Sequence, residues 1–193
     1  MTDFDVAPVS AIEDLSGDYE LDVSHTRIGF VARHAMVTSI RGAFTDFEGT
    51  AHIDAADPSR SSVKLALKVA SVDTGNEQRD GHLRSADFFA IETYPEITFV
   101  STAVERLDDE EFRVTGDLTV KDVTKPVTVE LTFNGSAKDP FGNLRAGFEG
   151  KTTVNRKDWG LTWNAALETG GFLVSDKIKL EFDVSAVKLA QSA

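Results

Sequence analysis

Apolar and polar residues alternate strictly over several stretches of the chain. Val63, Leu65, Leu67 and Val69 form one run; Phe112, Val114, Gly116, Leu118 and Val120 form a second; Val127, Val129, Leu131 and Phe133 form a third. Near the end Ile178, Leu180, Phe182 and Val184 repeat the pattern, interleaved with Lys177, Lys179, Glu181 and Asp183. A period of two sends successive side chains to opposite faces, so each run predicts a strand with one buried and one wet face. Looser alternation over residues 28–34, 41–53, 97–104 and 146–154 adds further strands, about eight in all. Asp57-Pro58, residues 107–110 and Asp139-Pro140-Phe141-Gly142-Asn143 supply turn chemistry at short spacing, which favours antiparallel neighbours. Residues 74–94 are too long for a hairpin loop and carry helix-starting residues at Thr74, Asn76 and Ser85, predicting one or two short helices over a barrel mouth. Residues 1–16 lack periodicity and are expected to be a mobile tail on a single domain over residues 17–190.

About eight antiparallel strands can close into a barrel whose interior is either filled by side chains or holds one small ligand. Alternation reports which face is buried and not whether a cavity remains, so both interiors stand open at this point. Thirteen phenylalanines against two tyrosines and two tryptophans make the aromatic content largely non-polar, which suits a lining that offers dispersion contact and few hydrogen bonds. A formal net charge of -12 repels phosphate backbones and removes nucleic acid as an expected partner. With no cysteine there is no disulfide framework, thiolate nucleophile or thiolate metal site. The first residues lack the basic and long apolar regions of a secretory signal, and no stretch approaches the roughly 18 apolar residues of a membrane helix. A cytoplasmic protein with no stable membrane insertion is the expectation.

Several words of the sequence resemble one family. Tyr19-Glu20-Leu21-Asp22-Val23-Ser24-His25-Thr26 leads into Ile28-Gly29-Phe30 and His34, then Gly42-Ala43-Phe44-Thr45-Asp46-Phe47-Glu48-Gly49. Arg79-Asp80-Gly81-His82-Leu83-Arg84, Asp87-Phe88-Phe89 and Tyr94-Pro95-Glu96-Ile97-Thr98-Phe99 follow, then Gly116-Asp117-Leu118-Thr119-Val120 with Val123-Thr124-Lys125-Pro126-Val127. Gly147-Phe148, Asn155-Arg156-Lys157-Asp158-Trp159-Gly160-Leu161 and Trp163 complete the series. In this order, from Tyr19 to about Val187, they resemble the YceI-like family of polyisoprenoid-binding, lipocalin-like proteins. The resemblance implies an all-β fold: a single antiparallel eight-stranded lipocalin-like barrel, with one or two short helices in the 74–94 connection. It further implies a lumen that holds a polyisoprenoid or isoprenoid-quinone-type lipid for carriage or storage, no other cofactor, and a homodimer. Asp122 stands where the family often has glycine and Ala90 where an acidic or amide residue is common, so local turns are expected to differ there. Many relatives look exported, a feature this N-terminus does not share.

The residues expected to line the lumen or its mouth are Phe30, Phe44, Arg79, His82, Phe88, Phe99, Leu118, Val129, Leu131, Phe148, Trp159 and Trp163. Arg79, Asp80, His82 and Arg84 form the densest polar constellation. They serve either as salt bridges that fix the helical segment over the barrel or as contacts to a lipid's polar head. An enzyme acting on an isoprenoid lipid, with Asp80 and His82 as acid and base, is the alternative. It lacks a nucleophile elbow, and no catalytic residue is assigned. The four histidines include no pair at chelating spacing, so no metal site is expected. Trp159 and Trp163, four apart, would share one face if they lie on a strand, as core packing or as lumen contacts.

Overall fold

Asp22 ends the first strand. In the computed structural model, which describes residues 15–191, its carboxylate accepts the Ser24 N–H at 3.0 Å and caps a 3₁₀ turn over Val23–His25. The turn separates β1 (Gly17–Leu21) from β2 (Arg27–His34). β3 (Thr38–Phe44) and β4 (Phe47–Ile53) are divided at Thr45-Asp46, and β5 (Ser62–Lys68) and β6 (Val72–Asp73) by a 3₁₀ turn over Val69–Ser71. The last two breaks hold each other: Thr45 N–H donates to the Ser71 carbonyl and Lys68 N–H to the Asp46 carbonyl. Five longer strands follow: β7 (Glu96–Arg106), β8 (Glu111–Val120), β9 (Val123–Lys138), β10 (Leu144–Asn155) and β11 (Lys177–Lys188).

Pairing makes β1 and β2 one stave, β3 and β4 a second, and β5 and β6 a third, because β1 joins β4, β2 joins β3, β4 joins β5 and β3 joins β6. The remaining strands pair in sequence order from β5–β7 to β10–β11, and β11 returns to both halves of the first stave. The result is the expected closed eight-stranded antiparallel barrel, in which every stave neighbours the next in the chain. Its core forms two clusters. One surrounds Phe44, Val69, Val72 and Trp159, and the other Leu15, Tyr19, Phe133 and Ala146 at the end where the described chain begins.

The 74–94 connection contains α1 (Glu77–Arg84), capped by the Asn76 side chain accepting the Arg79 N–H, and then a series of turns after Ser85. A second irregular stretch lies at the same end, and it corrects the strand reading of the tryptophans. Asn155 accepts the Lys157 N–H and starts a 3₁₀ turn over Arg156–Trp159, and Gly160, at φ 76°, ends it. Trp159 lies in this turn and Trp163 in the non-strand segment beyond it. The mobile tail expected over residues 1–16 lies outside the described residues except for its last two. Leu15 is buried and accepts the Tyr19 hydroxyl at 2.8 Å, and Ser16 Oγ accepts the Ala55 N–H.

Candidate functional site: an apolar lumen

The inward faces of the staves enclose a cavity of about 360 Å³, within the range of small-molecule sites. Its walls are almost wholly apolar. Polar residues reach it only at the ends, with His52, Asp54, Ser61 and Ser62 at one and Arg156 at the other. Alternation explains why: on β8 and β9 the lining residues Val114, Leu118, Val120, Val127, Val129 and Leu131 are those that share the inward period.

Glycine keeps the lumen open. Phe30 pairs across strands with Gly42, where a β-carbon would stand 2.3 Å from Phe30 Cζ. A β-carbon on Gly116 would stand 2.4 Å from Phe99 Cζ. Each phenylalanine ring therefore lies over its glycine, flat against the wall, instead of projecting into the channel. Only a residue without a β-carbon allows this approach.

Nine of the expected site residues border the cavity: Phe30, Phe44, Phe88, Phe99, Leu118, Val129, Leu131, Phe148 and Trp159. Trp159 is buried, and its indole N–H donates to the Leu118 carbonyl at 3.0 Å. Arg79, His82 and Trp163 do not border it. Arg79 donates to the Thr74 hydroxyl and carbonyl, both at 2.7 Å, while the buried Asp80 accepts the Thr74 N–H and hydroxyl. Both residues tie α1 to the end of β6. His82 pairs through Nε2 with Asp87 at 2.8 Å and stands edge-on to Trp163, ring centroids 4.5 Å apart, and to Phe88 at 5.1 Å. These three rings join the 74–94 connection to the 161–176 segment above the cavity. Asp80 and His82 thus have separate partners and form no hydrogen-bonded pair with each other.

Arg156 is the residue that sequence reasoning missed. Its guanidinium is buried and donates to the carbonyls of Leu161, Trp163 and Ser175, so one side chain pins the 161–176 segment over the lumen. Burial pushes its pKa down and Asp176 partly opposes this. A charged residue in a turn reads as solvated; the only signal was its place in the Asn155–Leu161 word. Among the described residues no group of three His, Asp or Glu side chains could hold a metal ion, and no helix is long and apolar enough to cross a membrane.

Known proteins share this arrangement. The crystal structure of Burkholderia cenocepacia BcnA superposes with a TM-score of 0.75 at 25% identity, covering 86% of this chain and 98% of that one. A Campylobacter jejuni YCEI protein superposes at 0.71 with 30% identity over 82% and 90%. A polyisoprenoid binding domain from Saccharophagus degradans, implicated in plant cell wall breakdown, shares the fold at 0.68 and 18% identity over 89% and 98%. By sequence, a UPF0312 protein of Pseudomonas syringae pv. tomato is 43% identical over 157 residues, 80% of this chain and 82% of that protein. A UPF0312 protein of Pseudomonas putida is 39% identical over 184 residues, 94% and 92%. The sequence pattern of the YceI-like domain matches residues 19–186, and the chain belongs to the YceI-like family.

Proposed function

We propose that this protein binds a single long-chain polyisoprenoid or isoprenoid-quinone-type lipid in the barrel lumen and carries or stores it, without chemical change to the lipid. The observation that carries this reading is the cavity wall, built from the inward apolar side chains of the staves and kept open by glycine. Such a wall offers dispersion contact along an extended chain and no site for a polar solute. The polyisoprenoid binding described for the Saccharophagus degradans domain of the same fold supports the choice of lipid class. Asp80 holds α1 to Thr74 while His82 pairs with Asp87 and packs against Phe88 and Trp163, which leaves the enzyme reading without its Asp80–His82 pair.

Organic extraction of the purified protein followed by mass spectrometry tests the proposal. A co-purifying prenyl lipid near one per barrel is the expected result. A lumen that stays empty and fails to take up prenyl alcohols or quinones sinks it, as does consumption of the lipid in a reaction lost in His82→Ala.

A further inference from the structure

The β2–β3 hairpin exposes its apolar tip. Met36 and Val37 are 66% and 74% exposed, and Phe172 of the 161–176 segment is 59% exposed. The two tips are joined: Ala35 N–H donates to the Leu173 carbonyl, His34 bridges Val174, and Gly171 lies against Met36. Val174 and Ala32 line the cavity, so the joint apolar tip forms part of its rim. The backbone carries strain there. Ala35 and Met36 sit at φ 49° and 65° around a bond from Val37 N–H to the His34 carbonyl, a turn that favours Asn-Gly. Met36 gains little burial in return.

The charge around this tip differs from that of the molecule. Residues 27–45 carry Arg27, Arg33, His34 and Arg41 and no Asp or Glu, in a chain of net charge -12. The 161–176 segment holds two acids, Glu168 and Asp176, of which Asp176 pairs with Lys157 at 3.1 Å. Lys177 and Lys179 follow on β11, Lys179 facing Glu181 at 3.4 Å. Arg33 and Lys177 have no acidic partner among the described residues, while Arg41 faces Glu181 at 3.3 Å. The opposite end carries Asp54, Asp57, Glu105, Asp108, Asp109, Glu110, Glu111 and Asp139 in or beside its turns, offset in part by Arg60, Arg106 and Arg145. Across the mouth from the tip, the 74–94 connection carries Glu77, Asp87 and Glu92. Phe141, 89% exposed, stands at the opposite end on its own hairpin.

We infer that the Met36–Val37–Phe172 tip docks the barrel, by this side of its mouth, on the surface of an anionic phospholipid bilayer. The partner follows from charge as well as apolarity. A cationic apolar tip on an acidic body is drawn to a negative surface in one orientation, with the acidic connection across the mouth and the opposite end turned away from it. Shallow burial of three apolar side chains among head groups requires no spanning segment. The role of this contact rests on the lumen reading above: an apolar cargo that passes between bilayer and lumen at a docked rim need not cross water.

Flotation with unilamellar vesicles tests the inference, using phosphatidylethanolamine–phosphatidylglycerol vesicles beside phosphatidylcholine vesicles. Bound lumen lipid is measured separately on the same preparations, so loss of cargo and loss of docking are read apart. The wild type is expected to float with the anionic vesicles and to be released by salt. The Met36→Ser, Val37→Ser, Phe172→Ser triple variant should bind at least about tenfold less, since binding scales with buried apolar area. Arg33→Glu should bind less with its lumen lipid unchanged, and Phe141→Ser should bind as the wild type does. Equal flotation of wild type and triple variant, or none by the wild type, overturns the inference. So does a wild-type dimer that the triple variant converts to monomer with vesicle binding intact, because the tip then joins two copies of this chain.

Discussion

Phe99 and Gly116 show how a single residue sets the capacity of the lumen. Gly116→Val would drive the Phe99 ring off the wall, costing about 1–3 kcal/mol as overpacking does. A lower denaturation midpoint together with reduced uptake of prenyl alcohols is the expected outcome. Ala90 poses the reverse case. It holds φ 49° at the position where the family commonly carries an acidic or amide residue, and the left-handed region costs a residue with a β-carbon about 1–2 kcal/mol. Ala90→Gly should therefore raise stability by up to about 1 kcal/mol, after the entropy that glycine loses on folding. Asp122, the other departure, keeps a negative φ, and the strain of that hairpin falls on Lys121 at 57°. Residues of the strand walls were legible in the sequence because inward position and apolar character coincide at a period of two. Arg156 and Trp163 act through irregular segments, where no period tells direction, and His82 lies on a short, largely polar helix, so their partners came only from the fold.

Among the elements, the β9–β10 hairpin is held by one carboxylate. Asp139 accepts the Asn143 and Phe141 N–H groups at 2.9 Å, and its other oxygen accepts from the Asn143 side-chain amide and the Arg145 guanidinium. Led by the Asn143 N–H, these donors lower its pKa to about 2. Arg145 also donates to Asp22 at 2.5 Å; with the Ser24 hydroxyl first, and His25 besides, it holds that carboxyl well below the usual range. For a depressed acid the stabilisation is complete above its unfolded value, about 3.9 for Asp, and is lost as pH falls through the folded value. The stability advantage of wild type over Asp139→Asn should thus be constant above about pH 5 and fade between about pH 4 and pH 2. Thermal unfolding across that range measures it; an advantage independent of pH would remove Asp139 from the hairpin's support. The hairpin itself was legible from its turn residues. The breaks at Asp22, Thr45-Asp46 and Val69–Ser71 were read through, although the apolar period slips by one between Phe44 and Phe47 and between Val69 and Val72; the side-chain and backbone bonds of neighbouring staves mark where the ladder yields.

At the scale of the whole molecule, the lumen predicts how affinity varies with ligand length. Each buried CH₂ is worth about 0.8 kcal/mol, so a chain of roughly 40 carbons has a gross gain of about 30 kcal/mol. Non-covalent binding saturates near about -18 to -21 kcal/mol. Lost chain freedom and association costs therefore offset much of the gain, and a smaller increment per isoprene unit accumulates until the cavity is full. Changing the head group should matter less, about 0.5–1.5 kcal/mol per neutral hydrogen bond. Titration of prenyl alcohols of increasing length, then of one length with alcohol, phenol and phosphate heads, separates the two contributions. Affinity flat with length and governed by the head would contradict an apolar tube.

Closure of the ring has a consequence for how the protein is made. The last strand, β11, meets the first stave through three residue pairs on β1 and five on β2, over sequence separations that approach the full described length. Until β11 leaves the ribosome, a growing sheet with two bare edges and a concave oily face has no partner to complete it, and such non-local pairing is intrinsically slow. A chain halted before residue 177 should accordingly bind hydrophobic dyes and aggregate, a state that release of the final residues abolishes. The interval before closure is also the one time when the inner wall lies open along its whole length, so that a prenyl lipid present during synthesis could be enclosed from the side as the barrel shuts.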